Sequence, residues 1–404
     1  MKLFAQQGYG KGTKIETALN RNSINGVILS PRDDTESNII SFRNFLEDTY
    51  STHAEVLFDP QFYYSIYVNS TSKNLNNLEY YPGTLDLRSF RSTKDLNKFA
   101  SDTLVYQEHL NTSYLLSPTI IINSFIDRKT QIVLNLAQEC INVVQDKGLT
   151  TPLLLSLIFE ESALNETDHV DDFLNEISVL PVDGFYITVA RSHTDYSQNF
   201  NSELALSNLL TIIYSLSEIN EYKVIMGYSD IIGLLFLAAG AYGISTGWHN
   251  GSRKFTIQQR ILPSKGGRTP RERYCAIPLL NSILLSEMDS IYQNTPSQVF
   301  QSILSGTRAD DDIILLGQNP SEGWTRNHSH QQHWSGIKKA IDEMSTHTHD
   351  TTTRFDLIES KISQAKTLLD LLSHFAVQLE PSSRGTHLET WKLAIDLFRA
   401  KANI

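Results

Sequence analysis

Cysteine is nearly missing from this chain. Cys140 and Cys275 are the only two in 404 residues, and no CxxC pair exists. That excludes a disulfide framework or a cysteine-rich zinc site, and a cytoplasmic setting is the expectation. Long apolar runs are missing as well. The longest, Ile231–Ala241, falls well short of the roughly 20 residues a membrane span requires, so it reads as a buried helix. The chain opens on a strand pattern rather than on the charged start and apolar core of a signal peptide. Positive charge is scarce: 34 Lys and Arg against 45 Asp and Glu leave a net charge of -11. Such a balance argues against a surface given wholly to nucleic acid or anionic membrane, and leaves room for a local basic patch.

What the chain does have is an alternation. Apolar runs at Lys2–Gly8, Gly26–Pro31, Ala54–Pro60, Pro118–Phe125, Pro152–Phe159, Gly184–Arg191, Tyr222–Gly227 and Gly243–Gly247 are separated by amphipathic stretches. Most read as near-continuous Val, Ile, Leu and Phe, as strands do when a parallel sheet is covered on both faces. Helical spacing is clear in Asn38–Tyr50, in Lys129–Gln145 before the Lys147–Gly148 stop, and in Glu203–Ile219. The fold class is therefore α/β, a (β/α)8 TIM-type barrel over residues 1–255, with an insertion around 63–117 that holds a helix such as Thr93–Leu104. Residues 256–404 read as a basic connector and a mostly helical C-terminal appendage. Its helices are expected at Tyr274–Tyr292, Trp334–Met344, Arg354–Leu379 and Leu388–Lys401, so that both cysteines fall in helical patterns.

Barrel chemistry sits where strands run into the following loops. Asp59 ends the third strand before Pro60, placed either to face the mouth or to cap the next turn. The second strand runs into Arg32, Asp33 and Asp34; Arg32 suits a phosphate or carboxylate, and either Asp suits a helix N-cap. The fifth strand ends in Glu160-Glu161, of which one should face the mouth whichever way the pleat falls. Asp59 with Glu160 would make an acid and second-carboxylate pair, as glycosidic chemistry requires; solvated loop acids are the alternative. Arg191 ends the sixth strand. Gly8-Tyr9-Gly10-Lys11-Gly12 lacks the ending of a phosphate loop and reads as a flexible rim.

After the seventh and eighth strands come Gly227-Tyr228-Ser229-Asp230 and Gly247-Trp248-His249-Asn250-Gly251-Ser252-Arg253. Gly227, Asp230, Gly247 and Arg253 suit a phosphate held by backbone N–H groups and a cation, or else the glycines simply turn the chain. From 253 to 273 the cations Arg253, Lys254, Arg260, Lys265, Arg268, Arg271 and Arg273 face one acid, Glu272. This stretch would take a nucleotide or nucleic acid, or pair internally. His328, His330, His333, His347 and His349 invite a metal reading, but no HExxH or carboxylate spacing accompanies them, so no metal or other cofactor is expected. A polar loop and helix start facing a partner or the barrel mouth is the plainer account.

The segment Lys223-Val224-Ile225-Met226-Gly227-Tyr228 through Gly240-Ala241-Tyr242-Gly243-Ile244 to Arg253 resembles the last two strands of the tRNA-guanine transglycosylase barrels. That resemblance implies a nucleotide or nucleic-acid ligand at the C-terminal face and transfer or hydrolysis at an N-glycosyl bond. The chain departs from the family in two places. Ser245-Thr246-Gly247-Trp248 stands where the family has its nucleophilic aspartate, and only Cys275 falls where the family gathers its zinc cysteines. A non-catalytic scaffold docking through the helical tail, and a carbohydrate-active hydrolase, are the competing expectations.

Overall fold

The computed structural model describes residues 1–263, 270–375 and 377–404. Nine parallel strands form the main sheet: β1 Lys2–Gln6, β2 Gly26–Leu29, β3 Glu55–Phe58, β4 Leu115–Leu116, β5 Ile121–Ile122, β6 Leu153–Glu160, β7 Gly184–Ala190, β8 Lys223–Gly227 and β9 Gly243–Thr246. Their order is β3-β2-β1-β9-β8-β7-β6-β4, with β5 also on β6, so β4 and β5 are two pieces of one stave and the sheet is a nearly closed eight-strand barrel. Across the remaining gap, Ser113 N donates to Val56 O at 2.7 Å and Val56 N donates to Ser113 Oγ at 2.9 Å. The fourth stave is broken because Pro118 between its halves cannot donate to a ladder.

Strand periodicity sorts the interior into layers. Phe4, Ile28, Leu57, Leu116, Leu154, Tyr186 and Ile225 form a buried apolar plug in the barrel. Two residues further along the same strands come Gln6, Ser30, Asp59, Ser156, Thr188 and Gly227, so the filling turns polar toward the C-terminal mouth. Leu3, Ala5, Val27 and Leu29 point the other way, into the larger core between sheet and helices.

The wall helices match the expected periodicities: Glu36–Tyr50, Arg128–Lys147 and Glu203–Tyr214, with Thr93–His109 in the long connection after β3. Asp127 caps one by accepting from Thr130 N, and Gly148 ends it with φ 61. The region expected as an appendage is built into the wall. The helix Arg326–His347 lies along β1 and the helix Lys14–Asn20. There Trp334 Nε1 donates to Thr246 O at 2.8 Å, and Gln331 Nε2 donates to Lys14 O at 3.0 Å. The helices Thr351–His374 and His387–Ala402 pack on Gly233–Ala238 and Glu203–Tyr214.

The helix expected over Tyr274–Tyr292 is instead an antiparallel hairpin, β10 Arg273–Ala276 and β11 Asn281–Leu284, followed by a shorter helix, Leu285–Asn294. Pro278 and the left-handed Leu280 (φ 48) turn the chain between its strands. Cys275 therefore sits in a strand rather than a helix, while Cys140 is helical as expected; both are buried, and burial pushes both thiols up. The hairpin anchors a second core with Phe300, Ile314 and Trp324. Among the described residues, no helix is long and apolar enough to cross a membrane.

Candidate ligand site at the barrel mouth

Asp59 is buried in the mouth, where its carboxylate accepts from Gln61 N at 3.0 Å and from Tyr63 Oη at 3.2 Å. It thus caps the next turn and faces the interior at once. Burial raises its pKa to about 6, against the opposing pull of those hydrogen bonds and of Arg260. Gln61, Tyr228 and Asp230 all hold left-handed φ near this rim, at 52°, 51° and 52°. Non-glycine residues are rarely held so, and such strain tends to gather where a structure does chemistry or binding.

The chain leaving β9 crosses over this cluster. Arg191 N donates to Phe255 O at 2.8 Å on the β7 side, and on the β2–β3 side Tyr64 Oη donates to Arg260 O at 2.7 Å while Thr71 N donates to Ile261 O at 2.8 Å. Phe255 meets Tyr63 and Tyr228 edge-on, with ring centroids 5.3 and 5.4 Å away. Arg260 Nη2 reaches Asp33 Oδ2 at 3.1 Å and Tyr228 Oη at 3.4 Å. Burial works against the Arg260 charge, but Tyr228 and Asp33 outweigh it and hold the guanidinium cationic.

The residues that sequence singled out are distributed unevenly over this architecture. Arg32 is engaged internally, with Nη1 on Asp33 Oδ1 at 2.7 Å and Nε on Thr71 O at 2.9 Å. Arg191 is buried against Glu161 at 3.4 Å and over the Phe200 ring at 3.7 Å. Of the paired glutamates it is therefore Glu161 that turns inward: burial would raise its pKa, but Arg191 and the N–H groups of Asn201 and Ser192 hold it low. Glu160 is only partly buried, near Tyr67.

Gly227 faces the interior, where a Cβ would lie 2.4 Å from Thr188 Oγ1 and 2.5 Å from Tyr186 Oη. The N–H groups just after it are already spent, Tyr228 N on Ser245 Oγ at 3.0 Å and Ser229 N on Ser245 O at 2.8 Å. At Gly247 a Cβ would meet Gln6 O at 2.5 Å. Both glycines serve close packing. Asp230 accepts from Gln198 Nε2 at 2.8 Å and lies 3.4 Å from His333 Nε2, which burial keeps neutral.

Arg253 stands apart from the rest. It is 6% exposed and donates Nε to Gly247 O at 3.0 Å, and among the described residues no carboxylate lies within 4.0 Å of it. It lines a recess of about 80 Å³ with Trp248, His249, Arg271, Glu272, Arg273, Arg326 and His330. That is the space of a few waters or one phosphate group. The other three guanidiniums share two acids: Arg326 meets Glu272 at 3.0 Å, while Arg271 and Arg273 meet Glu380 at 2.5 and 3.8 Å. The recess therefore keeps an excess of positive charge. Burial, reinforced by Arg253, lowers the His330 pKa to about 3, so this ring adds no charge of its own.

Arg253 is the only one of Asp59, Glu160, Arg191 and Arg253 that lines the recess. The rest of the basic segment is largely turned inward: Lys254 Nζ donates to Asp195 O at 2.9 Å, and Arg260 and Arg273 are buried. Lys265 and Arg268 lie outside the described residues. Of the histidines that invited a metal, His328 and His333 have local tasks, His333 Nε2 meeting Thr246 Oγ1 at 3.1 Å. His328 caps the helix Arg326–His347 by accepting from Thr325 N at 3.0 Å, and Asp350 accepts from Thr353 N at 2.8 Å to cap the next. Among the described residues, no three His, Cys, Asp or Glu side chains gather as a metal cluster.

Sequence reading gave Arg260 only as one cation of the basic run, Tyr228 only as part of a rim loop and Asp33 only as a helix cap, and it assigned no role to Tyr63 or Arg326. They come from separate segments of the chain, and no linear spacing joins them.

Fold and site together define a parallel α/β barrel with a strained, polar mouth and a cationic recess beside its last strand. No protein-family model matches the chain, and no curated protein matches it.

Proposed function

We propose that this protein binds a phosphate-bearing ligand, a nucleotide or nucleic acid, at the C-terminal face of its barrel, with the phosphate in the Arg253 recess. One observation carries the reading: a buried guanidinium with no carboxylate partner among the described residues lines a phosphate-sized recess rimmed by three further arginines. Holding that charge out of water without a partner is costly, and an anion in the recess would offset the cost. The loop after the last strand, a place where barrels commonly hold phosphate, supplies Trp248, His249 and Arg253 to the recess.

Binding of oligonucleotides and of pyrophosphate at low ionic strength tests this. Affinity should fall with salt, and Arg326→Ala should reduce the slope of log K against log salt by about one. Binding that is absent at low salt, or indifferent to salt, would refute it.

A second reading adds catalysis. Asp59, held toward its neutral form, would serve as the acid for an N-glycosyl bond, in keeping with the transglycosylase resemblance. Glu160, at the end of β6, would be the second carboxylate. The span carrying Phe255 and Arg260 covers Asp59, so turnover would require it to lift. Release of free base from an oligonucleotide or nucleoside, abolished in Asp59→Asn, is the measurement that decides.

A further inference from the structure

The recess has a neighbour whose chemistry complements it. Tyr9, in the loop after β1, is 71% exposed, yet its carbonyl is pinned to the recess wall: Trp248 Nε1 donates to it at 3.1 Å, and His249 Nε2 lies 3.2 Å away. The aromatic ring is thus anchored at its backbone, with Lys73 Nζ over one face at 5.5 Å from its centroid and most of its surface exposed. On its other side runs a groove of about 560 Å³, lined by Phe42, Phe45, Asn38, Ser41 and Asp34. Phe45 supplies further aromatic surface beside the buried Phe42, whose face Lys11 Nζ covers at 3.6 Å, while the Ser41 hydroxyl and the Asn38–Asp34 pair can meet donors and acceptors on the edge of a flat heterocycle.

Charge decides which part of a ligand goes where. With Asp33 already paired to Arg32 and Arg260, the groove holds Glu16 and Asp34 against Lys11, so it has no excess positive charge to draw a phosphodiester and suits a neutral base, whereas the recess keeps a cationic excess.

We propose that the ligand is single-stranded nucleic acid, with one backbone phosphate in the Arg253 recess and an adjacent unpaired base stacked on Tyr9 and seated in the Phe42–Phe45 groove. The assignment rests on reading the recess as a phosphate site and adds to it the strandedness of the partner. A base inside a duplex offers no free face, whereas an unstacked base offers one to any aromatic platform.

The test compares a single-stranded oligonucleotide, its duplex and inorganic pyrophosphate, each against wild type, Tyr9→Ala, Tyr9→Phe and Arg326→Ala. The expected result is that Tyr9→Ala weakens single-strand binding by about tenfold, as loss of one base–aromatic stack does, and that Tyr9→Phe restores it. Pyrophosphate affinity stays unchanged in Tyr9→Ala and falls in Arg326→Ala. Exposure of the Tyr9 ring makes a folding defect an unsuitable explanation for any loss.

Single-strand binding that is equal in Tyr9→Ala, or duplex binding as tight as single-strand binding, would overturn the inference while leaving the phosphate site standing. Failure of pyrophosphate and both nucleic acids to bind at low salt would overturn the two together.

Discussion

Arg260 Nη2 lies 3.1 Å from Asp33 Oδ2, and this buried contact ties the chain leaving the last barrel strand to the loop after the second. Arg32 meets the other oxygen of the same carboxylate at 2.7 Å. Two guanidiniums on one acid draw its pKa down although burial works the other way. Removing one partner of a buried ion pair typically costs about 3–5 kcal/mol, because the other charge is left uncompensated. Arg260→Ala should therefore lower stability by about that amount or somewhat less, since Arg32 remains. Hydrogen exchange should show the span around Phe255 opening first; unchanged stability and protection would show that the pair does not hold the span down.

Asp59 gives a pH dependence of defined sign. Its carboxyl stands near 6 in the folded protein against 3.8 as a free group. The folded state therefore binds this proton more tightly, and wild type should lose stability as pH rises from about 4 to 6, in total about 3 kcal/mol. Above that window the full penalty persists. Buried histidines push the other way, because His330 and His333 must stay neutral and cost stability as pH falls below 6.5. The difference between wild type and Asp59→Asn isolates the carboxyl. Asp59→Asn should be the more stable protein at pH 7–8 and should lose its advantage toward pH 4, as followed by chemical denaturation. An advantage that does not change with pH would contradict this.

Gly227→Ala should fail through crowding. Its methyl would press on the hydroxyls of Tyr186 and Thr188 and on Tyr186 Cζ, 2.8 Å away, inside a nearly closed barrel. Overpacking of this kind costs about 1–3 kcal/mol. Thermal unfolding should register the loss, and a neutral substitution would mean that the interior is looser than its packing implies.

Trp334 is fully buried and donates to Thr246 O. Trp334→Ala should cost about 3–5 kcal/mol, the range for large core truncations, and should destabilise the barrel itself rather than a separable tail. A calorimetric trace in which only a minor transition moves would argue for an independent C-terminal unit.

Much of the barrel was legible because its strands are buried on both faces and so read as unbroken apolar runs; seven of the eight expected runs contain an observed strand, and Pro152–Phe159 stops one residue short of the end of β6. Leu115–Leu116 escaped because two residues carry no period. The hairpin at Arg273–Leu284 was misread as a helix since an apolar run such as Tyr274–Leu285 fits either form by spacing alone. Pro278 was the signal against it, as an interior helical proline removes a hydrogen bond and clashes with the preceding turn. At the mouth, Asp59 was visible as a strand-end residue and Arg253 as the cation of the loop after the last strand. Arg260 was visible only as one cation among seven, because what distinguishes it is the loop it lies under. Glu161 and Glu160 could not be separated by sequence, since the strand ends between them.

The helix Arg326–His347 fills the wall beside β1, although β9 ends at Thr246. Order of synthesis and order of assembly therefore differ. A nascent chain that has completed its eighth stave still presents a bare apolar flank along β1 and Lys14–Asn20, and that flank stays uncovered until the chain beyond His347 has left the ribosome. A wall element made well after the eighth stave seals against the first strand made, so premature termination before this helix would yield a sticky, unfinished cylinder in place of a smaller working one.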